Sequence, residues 1–199
     1  MKKLIIATRN NGKVKEIKAL LRPLSYDILS LGDLNIDIDI PEDGTTFEEN
    51  AVKKAREICR LTGHLTLADD SGLEVFALNN APGVHSARFA GEGASDEQNN
   101  RKLLTLMKNI QKEKRQARFR CCMALYYPEG KYITVEGICN GSIAFEPGGS
   151  NGFGYDPLFI VEGYDKTFAQ LPSHVKDTIS HRAKALQKLM HILAKEQEV

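Results

Sequence analysis

Leu67-Ala68-Asp69-Asp70-Ser71-Gly72-Leu73, entered through the apolar run Leu65 to Ala68, is the stretch on which the fold turns. An apolar run that delivers two carboxylates, a hydroxyl and a glycine reads as a buried strand ending in a functional turn. In α/β sheets ligands gather outside the carboxyl ends of the strands, so the stretch marks the expected place for chemistry. Adjacent residues of a strand point to opposite faces, so Asp69 and Asp70 are expected to divide their work. One carboxylate holds a metal or a water, and the other braces the turn. The plainer alternative is an Asx-turn closing a strand, since Asp, Ser and Gly all favour turns for local reasons. The stretch alone does not choose between them.

Working back toward the amino terminus, Thr46-Phe47-Glu48-Glu49 is a capping box. It opens a helix through Ala51, Ala55, Ile58 and Leu61 to Gly63. Asn50, Lys53 and Lys54 fall in its first turns, each lysine taken singly reading as a solvated charge. The segment before it, Asp37-Ile38-Asp39-Ile40-Pro41-Glu42-Asp43-Gly44-Thr45, is acid-rich. Asp37 and Asp39 resemble the Asp-x-Asp of aspartate-nucleophile phosphatases, but that pattern belongs on a first strand and here Pro41 interrupts it. Glu42 and Asp43 are carboxylates suited to a hard cation such as Mg²⁺. Tyr26 to Leu31 reads as a strand, and Lys3 to Ala7 as a short buried one. The latter runs into Thr8-Arg9-Asn10-Asn11-Gly12-Lys13 and a helix with Val14, Ile17, Leu20 and Leu21 at helical spacing, stopped by Pro23. Strand, polar glycine-containing loop and helix start form a phosphate cradle in many α/β proteins; an ordinary strand-to-helix turn has the same pattern. It is not a P-loop, for the upstream glycine is missing and Val14 stands in the place of Ser or Thr.

Working forward, Leu73 to Leu78 is followed by Asn79-Asn80-Ala81-Pro82-Gly83, a turn signal. Ser86 to Gly91 places Arg88 beside a glycine loop. Ser95 and Gln98 make a second capping box for a helix burying Leu103, Leu104, Leu106, Met107 and Ile110; its end, Lys112, Lys114 and Arg115, reads as solvated. Ala117 to Tyr127 and Tyr132 to Gly141, joined by Pro128-Glu129-Gly130-Lys131, predict an antiparallel hairpin, so the sheet is expected to be mixed. Glu146 to Pro157 is the second dense motif. Its glycines permit close backbone approach, and Phe153 and Tyr155 offer flat faces for a base, a contact worth about 1–3 kcal/mol. Asp156 is placed to accept from ring N–H groups; the alternative for the two aromatics is a core plug. His181 and Arg182 at a helix start oppose its dipole, which points to another purpose.

With 199 residues, 42% hydrophobic and 27% charged, the chain has the composition of a globular protein with a substantial core. A net charge of +1 argues against a general nucleic-acid or membrane-surface binder. The four cysteines have neither metal spacing nor a disulfide framework, so a cytoplasmic location is expected. Met1-Lys2-Lys3 followed by Leu4 to Ala7 imitates a signal peptide, but Thr8-Arg9-Asn10 ends it too soon.

Taken together, six stretches closely resemble the inosine triphosphate pyrophosphatase family. They are Thr8 to Lys13, Glu42 to Ala51, Ala68 to Gly72, Ala81 to Gly91, Gly152 to Pro157 and Ile179 to Arg182. Each is weak alone; in register they span nearly the whole chain. The resemblance implies one α/β domain over residues 1–199, an elongated two-lobed fold with a long mixed central sheet and a nucleotide cleft between the lobes. It implies hydrolysis of ITP, dITP and XTP to the monophosphate and pyrophosphate, which keeps these nucleotides out of DNA and RNA. Mg²⁺ would be the cofactor, a homodimer the assembly, and no nucleic acid or membrane a partner. Carried over by position, Thr8, Arg9, Asn10, Asn11, Gly12 and Lys13 cradle the phosphates, with Lys54 and Arg88 assisting. Glu42 and Asp70 serve the metal, and Asp70 orients or deprotonates the attacking water. Ser71 contacts substrate; Phe153, Gly154, Tyr155 and Asp156 hold base and sugar; Lys176, His181 and Arg182 meet the purine edge.

Two departures stand out. Asn79-Asn80 and Asn151 occupy places where relatives commonly carry glycine, and asparagine is the residue best able to keep a positive φ. Both loops are therefore expected to hold their shape. The rival readings are a related pyrophosphatase for modified pyrimidine or methylated nucleotides, and a non-catalytic nucleotide sensor.

Overall fold

Leu4, Ile5 and Ile6 are fully buried, as in a strand covered on both faces. In the computed structural model, which describes residues 2–197, they form β1 (Lys2–Ile6). Helix α1 (Asn11–Leu21) returns the chain to β2 (Tyr26–Ser30), parallel to β1 with Leu4 opposite Ile28. Helix α2 (Phe47–Thr62) begins at the predicted capping box and ends at Gly63, which takes the left-handed φ of 69° that a helix C-cap favours. Strand β3 (Leu65–Val75) then lies parallel to β1 on its other side, with Ile6 opposite Leu67. After α3 (Asp96–Met107) come β4 (Gln116–Tyr126), β5 (Tyr132–Ile143), β6 (Phe159–Val161), α4 (Ser173–Ile179) and α5 (His181–Gln197). The sheet order is β2-β1-β3-β4-β5-β6. With β5 and β6 antiparallel, the sheet is mixed, as the sequence predicts.

The chain divides into two units. The first takes the chain up to Asp70, Cys121–Gly137 and the chain from Arg182 on. Its core joins Leu4, Ile6, Ile17, Leu21 and Leu67 to Cys121, Met123 and Leu125, and α5 adds Ala185, Leu186, Leu189 and Leu193. Burying each such aliphatic side chain stabilises by about 1.5–3 kcal/mol. The second unit takes Ser71–Arg120 and Ile138–His181. Its core holds Leu73, Val75, Leu103 and Met107 around Phe119, Phe159 and Phe168, whose rings contact one another at centroid distances of 4.7 Å and 5.4 Å.

Several expectations are corrected. β3 does not end at Asp70 but continues to Val75, so the two carboxylates sit within an eleven-residue strand. Leu106, assigned to the buried side of α3, is 48% exposed. Arg115, assigned to a solvated helix end, is buried; it donates to the carbonyls of Met107, Ile143 and Ala144, each at 2.7 Å, and of Ile110 at 3.2 Å. The charge run around it hides its role, because only the fold supplies the orphan carbonyls it satisfies. Asn79 and Asn80 take the expected positive φ, 51° and 65°. Asn151 does not: there the flanking Gly149 and Gly152 carry it, at 82° and 78°. Strand β6 and helix α4 are too short to leave a period in the sequence.

Candidate functional site

In the first unit the loop after β1 ends at the N-cap of α1. Asn10 Oδ1 accepts the Lys13 N–H at 3.0 Å, and Thr8 Oγ1 accepts the Asn10 N–H at 3.3 Å. The first turn of α1 carries no acid, so the partial positive charge of the helix start is left for an anion. Lys13 Nζ lies 2.9 Å from Asp69 Oδ2. Arg9 turns instead toward the acid segment, pairing with Asp37 at 3.3 Å and Asp39 at 3.7 Å at the surface.

Asp69 and Asp70 divide their partners as strand geometry requires. Asp69 is completely buried and faces the cations Lys13 and, at 3.5 Å, Arg182; Arg182 also pairs with Glu16. Burial pushes the Asp69 carboxyl up, but Lys13, Arg182 and Lys54 outweigh it and hold it well below the usual carboxylate range. Asp70 accepts from Asn50 Nδ2 at 2.9 Å, and Lys54 Nζ lies 3.9 Å from its other oxygen. Burial and the negative charge of Glu42 raise the Asp70 carboxyl above its ordinary value against the pull of Lys54, Lys13 and Asn50. Glu42, 2.5 Å from Lys54 Nζ, is held below its ordinary value: Lys54 and Lys13 overcome its burial. Two carboxylates facing one ammonium are thus driven apart in proton affinity, the pattern that separates a proton acceptor from a fixed charge. Lys54 is itself buried rather than solvated and also donates to the Asp69 carbonyl at 2.7 Å.

Asn50 carries no role in the sequence reading, yet it ties this group together. Its Oδ1 accepts the Gly44 N–H at 2.8 Å while its Nδ2 serves Asp70. A Cβ on Gly44 would lie 2.7 Å from Asn50 Oδ1, so the acid loop closes on the helix only with glycine there. The signal available in the sequence was an amide just inside a helix whose capping box, Thr46 and Glu49, was already complete; its full burial comes only with the fold.

Glu42 and Asp70 are hard oxygen donors whose carboxylates face a common cation, the donor type that Mg²⁺ takes. No cluster of three or more metal-binding side chains occurs among the described residues.

In the second unit, Asp156 is buried and its Oδ2 accepts from Lys176 Nζ at 2.5 Å and from the Phe153 N–H at 3.0 Å. A Cβ on Gly152 would meet that same oxygen at 2.0 Å, so the loop needs glycine at this point. Lys176 Nζ lies 4.6 Å from the Phe153 ring centroid. Tyr155 is a core plug: its ring joins the hydrophobic cluster, its hydroxyl donates to the Ser86 carbonyl at 2.8 Å, and its own carbonyl accepts the Leu158 and Phe159 N–H groups at 2.9 Å and 3.1 Å. His181 stacks on Phe119 with centroids 4.7 Å apart. Arg88 pairs with Glu92 at 3.6 Å, and Ser71 opens this unit's share of β3. The side chain of Arg182, expected with Lys176 and His181, is committed to Asp69 and Glu16 in the first unit.

The model of the Ham1 family matches residues 4–192. A dITP/XTP pyrophosphatase of Desulforamulus reducens is 53% identical over 191 residues, covering 96% of this chain and 95% of that protein. The dITP/XTP pyrophosphatase of Bacillus subtilis is 51% identical over 193 residues, covering 97% and 98%. Among solved structures, the Ham1 protein of Staphylococcus aureus superposes with a TM-score of 0.87 at 42% identity, over 98% of this chain and 100% of that one. The HAM1 protein of Coxiella burnetii gives 0.89 at 40% identity, with coverage of 98% and 100%. The mixed α/β sheet, the six motifs in register and these matches lead to one assignment: the chain belongs to the Ham1 family.

Proposed function

We propose that this chain is a dITP/XTP pyrophosphatase, a single-domain hydrolase over residues 1–199 that cleaves ITP, dITP and XTP to the nucleoside monophosphate and pyrophosphate. The reading is carried by near-full-length identity of about half to proteins of that name. The buried Asp69–Asp70 pair with its two lysines is what such a reaction asks for. Clearing deaminated purines from the nucleotide pool, so that they do not enter DNA or RNA, follows from that reaction.

Thr8 to Lys13 and the start of α1 receive the phosphates, aided by Lys54 and Arg88. Asp69 holds Lys13 in place and stays ionised. Asp70, kept oriented by Asn50 and raised in proton affinity, orients the attacking water and takes its proton. Glu42 and Asp70 would hold Mg²⁺, which when bound offsets the charge that develops on the departing pyrophosphate. Ser71 touches substrate, while Phe153 to Asp156, Lys176 and His181 serve base and sugar. Hypoxanthine and xanthine carry an acceptor at position 6 where adenine carries a donor, so a fixed N–H donor favours the first two; leaving buried polar groups mispaired discriminates strongly. The working assembly is a homodimer in the cytoplasm, to be measured by sedimentation of the purified chain.

The direct test measures pyrophosphate release from dITP, XTP, ITP, GTP and ATP with and without Mg²⁺. Metal-dependent release from the deaminated purines is expected. Release of single phosphate overturns the bond assignment, and binding without turnover converts the protein into a sensor.

A further inference from the structure

The first two turns of α3 carry two side chains, Asp96 and Asn100, that the proposed reaction leaves without a role. Asp96 Oδ2 accepts the Gly154 N–H at 2.6 Å, and Asn100 Nδ2 donates to the Gly154 carbonyl at 3.0 Å. Four residues apart, they share one face of the helix, and together they take both polar groups of a single residue. Gly154 has a φ of 60°, with open space where a Cβ would be, and both its polar groups are hydrogen-bonded to α3. Asn100 Oδ1 is buried with no hydrogen-bond partner among the described residues, so the amide is oriented by the Gly154 carbonyl alone. Gly154 links Phe153, whose ring faces Lys176, to Tyr155, which is anchored in the core. All these contacts lie within the second unit.

We propose that Asp96 and Asn100 are positioning residues for base discrimination. They clamp the Gly154 peptide from α3 and so give the Phe153–Asp156 loop a single conformation toward a purine bearing a carbonyl at position 6. The inference rests on the assignment of that loop to the base made above. A loop free to adapt would re-pair with adenine, whereas a clamped loop leaves the mismatch unrelieved. The clamp therefore sets selectivity and ground-state binding and leaves the chemical step alone.

The test uses the full chain with Asp96→Ala, Asn100→Leu, the isosteric Asn100→Asp, and Asp96→Asn, which keeps an oxygen acceptor. Amide hydrogen exchange at Gly154 is expected to quicken at least about tenfold in Asp96→Ala and to stay near wild type in Asp96→Asn. The kcat/KM ratio of dITP to dATP is expected to fall about tenfold in Asp96→Ala, Asn100→Leu and Asn100→Asp, with kcat for dITP within about twofold and the melting temperature kept. Unchanged exchange overturns the clamp whatever the activity. Faster exchange with an unchanged ratio overturns its role in selectivity. A wild type that releases no pyrophosphate from dITP sinks the proposed function instead, and the dITP-to-dATP ratio of dissociation constants then decides the clamp.

Discussion

Asp69 and Asp70 share a peptide bond and feel the same two lysines, yet their surroundings act on them in opposite senses. The first faces Lys13 and the buried Arg182, and the second is the carboxyl whose surroundings favour taking up a proton. Asp70→Asn is therefore expected to abolish turnover while nucleotide binding survives. More than about a tenth of wild-type kcat, a barrier change under about 1.4 kcal/mol, counts against it. Arg182→Ala removes a buried cation from Asp69, which keeps Lys13, and from Glu16, and breaking a buried ion pair from one side costs about 3–5 kcal/mol. A urea titration should show that loss; intact stability with an eroded preference for ITP over ATP would return Arg182 to the base instead. The division of labour was legible in the sequence, since strand alternation sends neighbouring residues to opposite faces. The partners were not: Asn50 and Arg182 come to the two carboxylates, and Glu16 to Arg182, from helices far away in sequence.

Elements whose ends announce themselves chemically were legible to the residue, namely both capping boxes and the Gly63 stop, and the hairpin turn to within one residue. What stayed hidden were elements defined by their neighbours. β3 runs on through Ser71 and Gly72, residues that sequence treats as turn formers, well past the last pairing with β1 at Leu67. Arg115 likewise closes the passage from α3 to β4 by serving four carbonyls. Each buried carbonyl left bare costs about 1–3 kcal/mol, so Arg115→Met is expected to lower unfolding free energy by at least about 3 kcal/mol. Loss of less than about 1 kcal/mol in chemical denaturation would show that water replaces the guanidinium. Thr46→Ala, removing one cap bond, is expected to cost about 1 kcal/mol by the same measurement.

Across the molecule, no helix of the described residues is long and apolar enough to cross a membrane, and the four cysteines are buried and form no disulfide among the described residues. Burial drives the Cys59 and Cys121 thiols above their ordinary values, away from the reactive thiolate. A native-state thiol reagent should label none of the four within minutes at neutral pH and all four after unfolding. Fast labelling of the folded protein would mean that one of the two cores opens readily.

The first unit's core is begun by β1 and completed only by Ala185, Leu186, Leu189 and Leu193 of α5. The segments of the second unit, by contrast, have all been made by His181. The two cores therefore depend differently on the end of the chain. The second draws on nothing beyond His181, whereas Leu4, Ile6 and Ile17 are covered only once Ala185 to Leu193 are in place. A premature stop in the codons for α5 spares one core and leaves the other, with Asp69 and Asp70, open to proteases.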